Sequence, residues 1–212
     1  MRPLTPRIVG EILHHEGLVR EAYRDSAGVW TWSVGITSAS GHRVERYRDN
    51  PQSIARCLEV FVWLLTARYL PAVLAAFGGF VPQEHELAAA LSFQWNTGAI
   101  GRAAWLKRFL AGDPGAREAF LAWRRPPEIL PRRRAERALF FDEAWAGDGT
   151  VLDYEVAKPS YRPVRPRRIE IASSLEQLLL TSTPDRCELP PHAKPSAIPP
   201  TNTRDWFDRL FE

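Results

Sequence analysis

Glycine and proline cut this chain into short runs, and their distribution limits its fold more than any other feature. Nine of the 18 prolines follow Gly149, among them Pro159, Pro163, Pro166 and the pairs Pro190-Pro191 and Pro199-Pro200. Proline at that density excludes long helices and sheet interiors and favours extended segments. The pattern predicts a globular domain over 1–148 and a Pro-rich, largely extended or disordered tail over 149–212. Two islands interrupt that tail. Residues 169–180 have the composition of a short helix, and Trp206-Phe207-Asp208-Arg209-Leu210-Phe211 forms an apolar end suited to docking on a protein partner or on the chain's own domain.

Before residue 149 the breaks fall at Pro71, Gly78-Gly79 with Pro82, Gly98 to Gly101, Gly112 to Gly115, and Pro126 to Pro131. Between them apolar residues recur at helical spacing, as in Ile54, Leu58, Phe61 and Leu65, or Leu87, Leu91 and Trp95. The first helix has a clear start and stop: Thr5 as N-cap, Pro6 at the first helical position, a stripe of Ile8, Val9, Ile12 and Leu13, and Gly17 as terminator. Asp25-Ser26-Ala27-Gly28 reads as a turn, and Val29 to Thr37 as a strand. Its period of two puts Trp30, Trp32, Val34 and Ile36 on a buried face and Thr31 on an open one. The expected class is α+β, mostly helical with a small N-terminal antiparallel sheet.

Several function classes are excluded or unsupported. With 45% apolar residues and eight Trp the chain is not a disordered one. The longest uninterrupted apolar run, Val60 to Leu65, is too short to span a bilayer, so stable membrane insertion is not expected. The first residues lack the apolar core and cleavage site of a signal peptide, which places synthesis in the cytoplasm. Two cysteines, Cys57 and Cys187, supply neither a disulfide framework nor a four-ligand zinc site. His14, His15 and His85 show no metal-ligand spacing and read as surface residues, so no metal is expected. The net charge of +3 arises wholly before residue 149, because the tail carries nine Lys/Arg and nine Asp/Glu. Arg124-Arg125 and Arg132 to Arg134 with Arg137 are the densest basic cluster, read as a solvated helix face with one or two arginines paired internally. No nucleic-acid-binding motif accompanies them.

Three polar residues stand out by position. Glu16 ends the first helix, Asp25 lies in the next turn, and Thr31 sits on the strand. Connections so short bring the three groups near one another. Two carboxylates and a hydroxyl around a cleft suit glycosidic hydrolysis, which needs one protonated acid and one ionised carboxylate. The negative end of the helix dipole, with Leu13 and Leu18 nearby, favours the neutral form of Glu16. A polar turn containing Arg24 and Ser26 is expected to keep Asp25 ionised.

The segments Glu16-Gly17-Leu18, Ala22-Tyr23-Arg24-Asp25, Gly28-Val29-Trp30-Thr31 and Gly35 resemble the phage-type lysozymes (endolysins) of glycoside hydrolase family 24. That signature is Glu, eight residues, Asp, five residues, Thr, and Glu16, Asp25 and Thr31 fit it. Leu91 to Ala99, Trp105 to Asp113 and Leu130 to Phe140 are similar to later family segments in the expected order. The resemblance implies a lysozyme-like fold and cleavage of the β-1,4 bond between N-acetylmuramic acid and N-acetylglucosamine in bacterial cell-wall lysis. It makes Glu16 the general acid, Asp25 the second carboxylate, and Thr31 a holder of water or sugar. It implies no cofactor, with peptidoglycan glycan strands as substrate and a monomeric enzyme. Trp95 and Asn96 match positions that line the glycan cleft. One departure is Gly35-Ile36-Thr37, where many relatives have Gly-His-Thr. The alternatives are a non-hydrolytic wall-binding module of a phage particle and a lytic transglycosylase. Without a leader, the enzyme is expected to reach the periplasmic wall after release from the cytoplasm.

Overall fold

The computed structural model describes residues 4–181. Its first helix, α1 (Pro6–Glu16), starts and ends where expected: the Thr5 hydroxyl accepts from the Ile8 amide at 3.1 Å, and Gly17 turns the chain at φ 65°. The chain returns in a hairpin of β1 (Leu18–Arg24) and β2 (Trp30–Ser33). The strand expected over Val29 to Thr37 is two strands. Ser33 and Gly35 take positive φ and fold the chain back, so that β3 (Ile36–Thr37) pairs antiparallel with β2, Trp32 opposite Ile36. Thr31 lies between neighbours on both sides and is only 3% exposed, so its face is not the open one.

Trp32 stacks on His42 and Tyr47, with centroids 5.6 and 3.9 Å away, and the His42 Nε2 lies 2.9 Å from the Tyr47 hydroxyl. Burial, reinforced by the charges of Arg46 and Arg56, holds the imidazole down to about 4. An unfolded histidine titrates near 6.5, so between those values the unfolded chain binds the extra proton and stability falls as pH drops. His42→Phe should flatten this part of the profile by on the order of 2 kcal/mol, measurable by urea unfolding at pH 7 and pH 4.5. Parallel pH slopes for the two proteins would contradict it.

The helical body comprises α2 (Ile54–Leu64), α3 (Leu70–Phe77), α4 (Glu84–Thr97), α5 (Ala104–Leu110), α6 (Ala116–Phe120) and α7 (Leu130–Asp142). Pro71 does not break the chain as expected. Leu65–Tyr69 widens to π geometry, with the Leu70 amide bonded to the Leu65 carbonyl, and the proline then sits in the first turn of α3, where a missing N–H costs little. The joined run Ile54–Phe77 is 24 residues long with mean hydropathy 1.8. By length and composition it is able to cross a bilayer, contrary to the reading from uninterrupted apolar residues. Half of that stretch is buried, however, and Phe61 and Tyr69 pack on Trp95 inside the core. Around α4, which is buried on nearly every side, Ala88, Ala89 and Ala90 leave room for α1 and α7 to approach.

The largest departure from the sequence reading follows Gly149. Residues 150–181 are not a loose tail. They form β4 (Thr150–Ala157), β5 (Arg162–Glu170) and α8 (Ala172–Thr181). β4 pairs parallel with β1, Leu18 opposite Asp153, giving a mixed sheet ordered β3-β2-β1-β4-β5. The prolines are accommodated because β5 is an edge strand. Pro166 falls in an irregularity of the β4–β5 ladder, between the pairs Asp153–Arg167 and Glu155–Val164. The supposed boundary is itself fastened to α1, since the Ala146 and Gly147 amides donate to the buried Glu11 carboxylate at 3.1 and 2.8 Å. A side chain at 147 would meet the Glu11 backbone at 3.3 Å. The helix expected over 169–180 is α8, begun three residues later because Ile169 and Glu170 complete β5, and its Leu175 packs over Gly10 of α1. Cys187 and the apolar end Trp206–Phe211 lie outside the described residues.

Candidate active site

Glu16 occupies the last position of α1, with its side chain 1% exposed. Its Oε1 accepts from the Arg132 Nη1 at 2.5 Å. Arg132 lies in the first turn of α7, where a helix dipole disfavours a cation, and three groups hold it there. Besides Glu16, its Nε donates to Glu136 Oε1 at 2.9 Å, and its Nη2 lies 3.2 Å from the Ser92 hydroxyl. Burial pulls the Arg132 guanidinium down, but the charges of Glu16 and Glu136 outweigh it and leave the group above its ordinary value.

Glu136 is fully buried. It also binds Arg133, whose Nη2 donates to Asn96 Oδ1 at 2.6 Å and whose Nε donates to the Trp123 carbonyl at 3.1 Å. Burial pushes the Glu136 carboxyl up, and Arg133 and Arg132 bring it below the usual carboxylate range. The basic cluster is thus divided: Arg132 and Arg133 are internal, Arg137 faces Glu118 at 3.6 Å, and Arg134 is exposed. The Glu16–Arg132–Glu136–Arg133 chain was not singled out from sequence, although Glu136 follows the two arginines at helical pairing distance.

Asp25 closes the β1–β2 turn. Its Oδ1 accepts from the Val29 amide at 2.8 Å, and its own amide donates to the Val29 carbonyl at 3.1 Å. Only 8% exposed, it is less polar in setting than the turn sequence suggests. Burial pushes its carboxyl above the ordinary value against the Val29 and Ala27 amides, the Thr31 hydroxyl and the Arg24 charge. The Thr31 hydroxyl thus favours the charged form of Asp25, and it reaches the Val29 carbonyl at 3.2 Å. Burial raises the Tyr23 phenol, and the charges of Asp25 and then Glu16 raise it further. Tyr69 is pushed up to about 12 by burial and by the Glu16 charge.

A cleft of about 440 Å³ opens beside Glu16, walled by Asn96, Arg132 and Pro131 from the helical body and by His14 and His15 from α1. Its other wall is Thr150, Val151 and Leu152 of β4, with Arg168 of β5. Asn96 is on the wall of this cleft. Trp95 does not: its ring is 1% exposed and packed on Phe61 and Tyr69, because the inward face of α4 fills the core. His15 is not a surface residue either. Its side chain is largely buried, with Nε2 3.6 Å from Glu11. Among the described residues, no three His, Cys, Asp or Glu are grouped to hold a metal ion.

Residues 13–137 match the model of the family described as phage lysozyme, a span that contains Glu16, Asp25 and Thr31 and ends one residue past Glu136. The chain belongs to that family. This phage-lysozyme chain is accordingly a glycoside hydrolase, and the family acts on peptidoglycan. Among solved structures it is similar to the endolysin from Escherichia coli O157:H7 phage FAHEc1, with 23% identity, a TM-score of 0.55, and coverage of 68% of this chain and 96% of that one. It is also similar to a point mutant of P22 lysozyme, at 23% identity and a TM-score of 0.52, over 66% of this chain and 99% of that one. At that identity the likeness is one of fold, and it agrees with the lysozyme-like α+β class expected from sequence. No curated protein matches the chain. The β4–β5 hairpin and α8 lie beyond the matched family segment.

Proposed function

We propose that this phage-lysozyme chain cleaves the β-1,4 bond between N-acetylmuramic acid and N-acetylglucosamine, with Glu16 as general acid, Asp25 as the second carboxylate and Thr31 orienting water or sugar. The observation that carries the reading is the different setting of the two acids. Glu16 is held through Oε1 at the wall of the cleft, and Asp25 is fixed in a turn beside Thr31. Because Arg132 engages Oε1, Oε2 is the oxygen we assign to the leaving group. Asn96, pinned by Arg133, lends a polar contact on the same wall. The biological setting we infer is lysis of the bacterial wall, reached after release from the cytoplasm.

Product ends test the reaction type. Digested peptidoglycan should gain one reducing sugar end per bond broken, read by borohydride labelling and mass spectrometry. Products ending in a 1,6-anhydro ring would instead assign a lytic transglycosylase, which needs no second carboxylate to activate water.

A further inference from the structure

The β4–β5 turn lies outside the matched family segment, yet it holds both flanks of the loop that carries Asp25. Arg24 and Trp30 are the last pair of the β1–β2 hairpin, and residues 25–29 span the gap between them. Tyr161 contacts each one. Its carbonyl accepts from the Arg24 amide at 2.8 Å, and its ring meets the Trp30 ring edge-on, 5.0 Å between centroids. The Tyr161 hydroxyl is fixed in turn, bonded to Asp49 Oδ2 at 2.9 Å and accepting from the Arg48 Nε at 3.2 Å. Lys158, from the same turn, reaches Asp49 at 2.6 Å.

This latch is placed where pairing between the two hairpins has ended. The β1–β4 ladder covers Leu18 and Val19, and β1 is irregular between Val19 and Tyr23, so the outer half of β1 has left the ladder when it arrives at Asp25. At its other end the same hairpin walls the cleft beside Glu16. We propose that Tyr161 is a positioning residue for the reaction: it fixes the Asp25 turn relative to Glu16 through the Arg24 amide and the Trp30 ring. The proposal rests on the hydrolase reading above. It assigns the 150–170 segment a part in the active site.

The test uses the full chain and steady-state kinetics on soluble peptidoglycan fragments. Misplacing a reacting group by about 1 Å costs up to about a hundredfold in rate. Tyr161→Ala is therefore expected to lower kcat by about ten- to a hundredfold with KM within about twofold. Every variant keeps the backbone carbonyl, and Tyr161→Phe, which also keeps the ring against Trp30, should retain most of kcat. Leu175→Ala, which loosens α8 away from this turn, serves as the stability control and should keep its kcat wherever it is folded. If Tyr161→Ala does not fold, Tyr161→Leu carries the same comparison with apolar bulk retained against Trp30. The positioning role is overturned if the Tyr161 variant loses no more kcat than Leu175→Ala at matched melting temperature, or if only KM changes. A wild-type chain that forms no product overturns the hydrolase reading and the proposal together, whereas a wild type that cleaves beside an unaffected Tyr161→Ala overturns the proposal alone.

Discussion

Glu16→Gln should reduce clearing of purified peptidoglycan by about 10²–10⁴-fold, the contribution of a well-placed general acid. The amide keeps an oxygen for the Arg132 Nη1 but has no proton to give at the pH of the assay. Arg132 retains its bonds to Glu136 and Ser92, so the fold should lose only about 1–3 kcal/mol, the worth of one charge-assisted hydrogen bond. Thermal melting of the variant would separate that loss from the loss in rate. Binding to insoluble wall should survive. Equal clearing by both proteins would remove Glu16 from the acid role. If neither clears and both sediment with the wall, the chain is a binding module.

The second large effect concerns stability. Glu136→Ala strips two buried guanidiniums of the carboxylate they share and should cost about 3–5 kcal/mol, because breaking a buried ion pair leaves uncompensated charge. Urea unfolding at neutral pH measures it directly. Activity should fall as well, since Arg132 loses its anchor and with it the hold on Glu16. Acid should reproduce part of the defect. The folded Glu136 carboxyl lies below its unfolded value, so its contribution is complete above the ordinary glutamate range and is lost as pH falls through the folded value. A variant that unfolds within 1 kcal/mol of wild type would mean that the remaining partners, Glu16 and Ser92 for Arg132 and Asn96 and the Trp123 carbonyl for Arg133, satisfy the two arginines.

What the sequence made legible was local. Thr5 and Gly17 bound α1 through bonds within a turn of themselves, so they can be read from neighbouring residues alone. Asp25 and Thr31 were legible in the same way, because they sit in one short hairpin whose pairing is set by their neighbours. What remained hidden depended on distant partners. Arg132 looks like a surface cation until Glu16, 116 residues earlier, is placed against it. Pro163 and Pro166 argue against a strand until that strand is known to lie at a sheet edge. Thr31 appeared open because a period of two says which residues share a face, and nothing about what covers that face. Trp95 drew attention as an aromatic beside Asn96, but successive helical positions point about 100° apart, and only Asn96 points toward the cleft.

The parallel pairing of β1 with β4 has a consequence for how the molecule comes into being. Leu18 finds its partner at Asp153, so the sheet closes across nearly the whole helical body. Pairings so remote in sequence exact a large loop-closure entropy and slow the search for the native state. A chain emerging from the ribosome has Glu16 and Asp25 in hand early, with the helices free to collapse behind them. It lacks the strand that completes the sheet until residues 150–157 are released. The cleft wall formed by Thr150, Val151 and Leu152 is therefore a late acquisition of synthesis.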